Sequence, residues 1–157
     1  MRQVIVLTVG LCVSAGGLAA QAVLDQVLVR FGSEIITRLD VRQARLLKLM
    51  SVTNDTDQAY VEALVNRRLI LSDLKRAPAA EPSTEALEVK LRQWQAGLGS
   101  GVNVPELLER AGMTDAGLRG WLRDDLRVQA YLDERFAGRP ADLAAWIATL
   151  RQRAGVR

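Results

Sequence analysis

Val27-Leu28-Val29-Arg30-Phe31-Gly32-Ser33-Glu34-Ile35-Ile36-Thr37-Arg38-Leu39-Asp40-Val41 is the stretch that decides the architecture of this chain. Val27, Val29 and Phe31 alternate with Gln26, Leu28 and Arg30, and Glu34-Ile35-Ile36-Thr37 follows a Gly32-Ser33 pair. Two β-rich runs joined by a two-residue Gly-X turn predict an antiparallel hairpin. Thr37 then stands three residues before Asp40, close to the spacing of a capping box, and the apolar period changes from two to that of a helix. A short hairpin feeding directly into a helix is therefore the entry to the fold.

Downstream the pattern is helical throughout. Leu39, Leu46, Leu47 and Met50 mark the apolar side of a first helix running to about Met50, and Ser51–Thr56 is a polar break. A second helix spans about Asp57 to Lys75, with Tyr60, Val61, Leu64, Val65, Leu71 and Leu74 near one stripe. Leu69 and Ile70 widen that stripe, which predicts the central buried helix. Ala77–Pro82 holds two prolines and cannot continue it. Ser83 or Thr84 caps a third helix whose Leu87, Leu91, Trp94 and Leu98 step by 4, 3 and 4. Gly97, Gly99 and Gly101 end it. Asn103 opens a short fourth helix carrying Leu107 and Leu108 and closing at Gly112. Thr114-Asp115 begins a fifth, with Leu118, Trp121, Leu122, Leu126, Tyr131 and Leu132 inward, and a last helix behind Pro140 carries Leu143, Ile147, Leu150 and Ala154. The expected fold is all-α with a small N-terminal β-hairpin.

Upstream, residues 1–22 read as a signal peptide. Arg2 gives a positive start, Val4–Ala20 carries no charge, and Ala20-Gln21-Ala22 is an A-x-A cleavage pattern. An uncleaved anchor is the alternative, although Gly10, Gly16 and Gly17 interrupt a run already short for a membrane span. Cleavage would start the mature chain at Val23, make residues 23–157 a single domain, and remove Cys12, the only cysteine. Leu11 before Cys12 argues against lipidation, because a lipidated cysteine normally follows a small residue. The localisation expected is the periplasm.

Composition narrows the chemistry. The 157 residues are 49% apolar and 25% charged, with 21 Lys plus Arg against 18 Asp plus Glu and no histidine. Such a chain builds a globular core, and a net charge of +3 is too small and too scattered for a nucleic-acid binder. Lack of histidine removes every Ser/His and Cys/His pairing and His-ligated metals. Asp124-Asp125 is not a dyad, since helix neighbours point about 100° apart. Gly97-Leu98-Gly99-Ser100-Gly101 lacks the order of a phosphate loop. No catalytic residue, metal site or cofactor is expected.

Two surfaces invite a binding reading. Arg38, Arg42, Arg45 and Lys48 line one face of the first helix, either as a solvated outer face or as a weak contact with anionic lipid headgroups or acidic client segments. Trp121 reads as core and Trp146 as core or docking. Trp94 lies between a proline-rich segment and a glycine-rich loop, so its stripe is a candidate peptide groove. The candidate peptide-binding residues are Leu91, Trp94 and Leu98, followed by Leu107 and Leu108 on the fourth helix.

The opening stretch resembles the start of the SurA-type periplasmic chaperones, which begin with a valine-rich strand, a tight turn, an "IT" and a helix. Ala63-Leu64-Val65-Asn66-Arg67-Arg68-Leu69-Ile70-Leu71 is similar to that family's next helix. Met113-Thr114-Asp115 through Leu118, Leu122, Asp125-Leu126-Arg127, Tyr131-Leu132 and Arg135-Phe136 is similar to a later one. The resemblance covers about Val27 to Phe136. It implies a helical chaperone core with a returning C-terminal helix, and a function of binding unfolded exported polypeptides, including outer-membrane protein precursors. In that family a parvulin prolyl isomerase domain follows this point. Here Phe136 is followed at once by Ala137-Gly138-Arg139-Pro140 and the last helix, so no isomerase activity is expected. The rival readings are a helical adaptor for one specific partner, and a prolyl isomerase relative in name only.

Overall fold

The computed structural model describes residues 25–76 and 80–156; the signal-peptide reading of residues 1–22 lies outside them. Strand β1 (Val27–Phe31) pairs antiparallel with β2 (Glu34–Thr37). Gly32 takes φ +51 at the first position of the turn, where a Gly-X hairpin needs it. The pairing steps from Val27↔Thr37 to Val29↔Ile36, so Leu28 is a bulge. That extra residue breaks the strict alternation of the sequence. Phe31 and Ile36 are buried and Val29 half-buried, while Val27 is turned out to 43% exposure.

Among the described residues six helices follow: α1 (Arg38–Leu46), α2 (Asp57–Leu74), α3 (Thr84–Leu98), α4 (Val104–Ala111), α5 (Asp115–Phe136) and α6 (Pro140–Arg153). The side chains of Thr37, Thr56, Ser83, Asn103 and Thr114 accept the first free N–H groups of α1 to α5. The box at α1 is complete, because Asp40 also accepts the Thr37 N–H at 2.8 Å. Helix α6 begins differently, at Arg139, with no side-chain cap and with Pro140 in its first turn.

Helix α1 is shorter than its apolar pattern predicts. It stops at Leu46 rather than near Met50, because Lys48 adopts the left-handed region at φ +47. The Lys48 N–H then donates to the Arg45 carbonyl and the Leu49 N–H to that of Ala44, the paired bonds of a Schellman turn. The turn redirects the chain so that Leu47 and Leu49, beyond the helix, are both buried. Within α1 the buried residues are Val41 and Ala44, whereas Leu39 and Leu46 are half-buried.

Two apolar clusters form the core. The first joins the hairpin, Val41 and Ala44 of α1, the buried face of α2, and Leu150 of α6. The second joins Leu47 and Leu49 to α3, α4 and the first half of α5. Helix α2 packs against β2, α1, α5 and α6 and buries seven of its residues, so it is the central helix that its broad stripe predicts. Helix α5 serves both clusters, through Leu118 and Leu122 in one and Val128, Tyr131 and Leu132 in the other. Each fully buried leucine contributes about 1.5–3 kcal/mol by leaving water, and no charged side chain is fully buried among the described residues.

Candidate functional site

The five residues proposed as a peptide groove do not form one. Leu91, Trp94 and Leu108 are buried, and Leu98 and Leu107 are half-buried against the same second cluster. The reason is a hydrogen bond as much as apolar area. The Trp94 indole Nε1–H donates to the Leu47 carbonyl at 2.7 Å, so the ring closes the end of α1 and satisfies a backbone group there. Leu107 and Leu108 serve α4, which packs on α1 and is pinned by a 3.0 Å bond from Gln43 to the Gly112 carbonyl.

The expected order of burial among the tryptophans is also reversed. Trp121 is only half-buried, and its indole carries the Arg67 guanidinium 3.7 Å from the ring centroid, a close cation–π stack. Arg67 also donates to the Trp121 carbonyl at 2.9 Å and approaches Asp125 at 3.5 Å. The other Asp125 oxygen lies 2.7 Å from Lys90. The side chain of Arg67 is 11% exposed. Burial pushes its guanidinium below the ordinary arginine value, and Asp125 and Asp124 oppose that shift; it stays charged. One carboxylate thus ties α2, α3 and α5 together. Asp125 therefore pairs across helices and not with the neighbouring Arg123 and Arg127; it is Asp124 that meets Arg127. The sequence clue was Arg67 itself, a cation in the middle of the helix with the broadest apolar stripe.

The basic row of α1 does not survive as one face. Arg45 is bound by Asp55 at 2.9 Å and Asp57 at 2.7 Å and lies over the Tyr60 ring. Lys48 lies beyond the helix end, with its ammonium 3.5 Å from the Gly97 carbonyl. Arg38 and Arg42 remain as the exposed cations of the helix itself, and Lys48 is exposed just beyond its end.

An open apolar concavity lies elsewhere, between the C-terminal half of α5 and the start of α6. It is a cleft of about 430 Å³. Val128, Leu132 and Phe136 form one wall at successive turns of α5, and Leu143 of α6 faces them. All four are half-buried, so apolar surface is presented there. Behind the cleft Trp146 packs on Phe136 at 5.0 Å and on Tyr131 at 5.8 Å between ring centroids. The Tyr131 hydroxyl donates to Asp73 at 3.1 Å and accepts from Arg135 at 2.6 Å. Burial, with the Asp73 bond second, pushes this phenol above its ordinary value of 10.0, so it remains a donor at neutral pH. The sequence reading placed Leu132 and Leu143 on inward stripes but missed Val128. A step of four along α5 connects Val128 to Leu132 and Phe136, and only the docking of α6 shows that this row faces a gap.

The cleft has apolar walls and a polar edge at Asp125, Gln129, Asp133 and Arg139. Among the described residues, no cluster of three or more Cys, Asp or Glu is placed to hold a metal ion, and no helix is long and apolar enough to cross a membrane. The arrangement is suited to holding an apolar segment of another molecule. No family model, curated protein or solved structure matches the chain.

Proposed function

We propose that this chain is a periplasmic chaperone-like protein that binds unfolded exported polypeptides without isomerase chemistry. The observation that carries the reading is the α5–α6 cleft, an open trough with apolar walls. Its walls are half-buried side chains, which can shift to suit different clients more readily than a packed core can. The element order adds support. A hairpin enters a helical core and a last helix docks back on the hairpin-bearing half, the arrangement that the SurA-type resemblance implies.

The test is suppression of aggregation of several unrelated unfolded chains, an outer-membrane protein among them, by the purified protein. Suppression of all of them is expected. Leu143→Ser should weaken it severalfold while leaving the fold intact, because Leu143 lines the cleft and is not one of the fully buried core residues. Binding to a single folded partner, with no effect on unfolded chains, would make the protein an adaptor instead. Export is the other half of the proposal, and it rests on the Arg2, apolar-run and Ala20-x-Ala22 order. N-terminal sequencing of protein extracted from cells should begin at Val23; an intact Met1 on a membrane-bound product would overturn it.

A further inference from the structure

The Schellman turn at the end of α1 is built on the wrong residue. Its left-handed position belongs to glycine in most helices, since a Cβ there crowds the backbone. This chain uses glycine at the comparable end of α4, where Gly112 has φ +65. At the end of α1 it uses Lys48, the one non-glycine residue with positive φ among the described residues. A strained position of this kind calls for a compensating role. The long, exposed contact of the Lys48 ammonium with the Gly97 carbonyl offsets little.

What Lys48 gains by standing there is a place on the rim of a pocket. The pocket encloses about 290 Å³ between the end of α1, α3 and α5. Lys48, Lys90, Gln93 and Asp125 supply its polar lining, and Trp121, Trp94 and Leu122 its apolar part. The one acid in the lining is Asp125, and both its oxygens are engaged, by Lys90 and by Arg67. Lys90 keeps two further N–H donors, and Lys48 has no ion-pair partner among the described residues. The field inside therefore favours an anion. A bare inorganic ion would leave the tryptophan wall unused. A carboxylate carried on an apolar group would use both halves, and a pocket of this size suits a single residue more than a large ligand.

We propose that this pocket holds the C-terminal carboxylate of a polypeptide that ends in an apolar residue. Lys48 and Lys90 bind the carboxylate, Gln93 donates alongside, and the last side chain lies against Trp121. That the occupant is a polypeptide rests on the function proposed above, whereas the preference for a carboxylate rests on the pocket alone.

Titration of the full chain with a fluorescent hexapeptide ending in Leu-Phe, as the free acid and as the C-terminal amide, tests both parts. The free acid should bind roughly tenfold tighter, the worth of one charge-assisted contact. Lys48→Gly should erase that difference and leave the melting temperature unchanged or higher, because it relieves the left-handed strain. Lys48→Arg should keep the difference. Octanoate, a carboxylate without a peptide, is the control for the occupant. Equal binding of acid and amide would overturn the inference and leave polypeptide binding standing. A Lys48→Gly variant that melts lower and still discriminates would also overturn it, and would make Lys48 a cap for the end of α3. Lys48-dependent binding of octanoate with neither peptide form bound would overturn the polypeptide occupant of this pocket and leave the reading of the α5–α6 cleft to the aggregation assay.

Discussion

Truncation after Phe136 is expected to abolish cooperative unfolding. Helix α6 is part of the core. Leu150 is 7% exposed within the first apolar cluster, and Trp146, Ala154 and Val156 pack on the same cluster. Arg151 adds a 2.9 Å bond to Asn66 and a 2.6 Å ion pair with Glu62, both on α2. Loss of Leu150 as a side chain alone should cost about 2–5 kcal/mol, a large share of the roughly 5–15 kcal/mol that holds a domain of this size together. Removal of the whole helix also bares the α2 surface beneath it. The apolar stripe of α6 is not uniform, however. Leu143 and Ile147 are only half-buried, so alanine at either should cost less than at Leu150. Denaturant titration followed by circular dichroism separates the cases. A truncated chain that unfolds with the midpoint and slope of the full one would make α6 a tail.

Trp94→Ala should be the most damaging single substitution. The cavity left by the indole is expected to cost about 3–5 kcal/mol. The Leu47 carbonyl would lose its 2.7 Å donor in a buried place, a further penalty of about 1–3 kcal/mol where water cannot replace it. The two losses share one site and will not simply add. Binding at the α5–α6 cleft, per folded molecule, should be unchanged, because Trp94 is not among the residues that line it. A variant that melts like the parent but no longer binds would reverse this assignment and restore the α3 stripe as a binding surface.

The parts of this fold legible in the sequence are those whose causes are local. The Gly32-Ser33 turn rests on one glycine's backbone, and the Thr37–Asp40 box and the caps at Ser83, Asn103 and Thr114 each depend on a side chain meeting backbone within a few residues. The breadth of the α2 stripe likewise reports directly how much of that helix is covered. The end of α1 was not legible. Leu46-Leu47-Lys48-Leu49-Met50 continues an apolar helical pattern, and nothing local announces that a lysine will accept a left-handed conformation. Trp94 was misjudged for a related reason. Flanking prolines and glycines suggest the periphery, but the end of α1 needs a donor, and that need appears only once α1 and α3 are side by side. Asp125 and Val128 follow the same rule, since the partners that give them a role lie on other helices.

The uncapped start of α6 has a mechanical consequence for the cleft it helps to form. One wall belongs to the long α5, anchored in both apolar clusters. The other begins at Arg139 with backbone N–H groups that no side chain holds, next to Gly138 at φ +69. The first turn of α6 can therefore unwind and rewind while Leu150 and Arg151 keep its far end seated. On the function proposed above, the cleft would act as a jaw with one fixed and one yielding side, its gape set by the uncapped turn and not by the core.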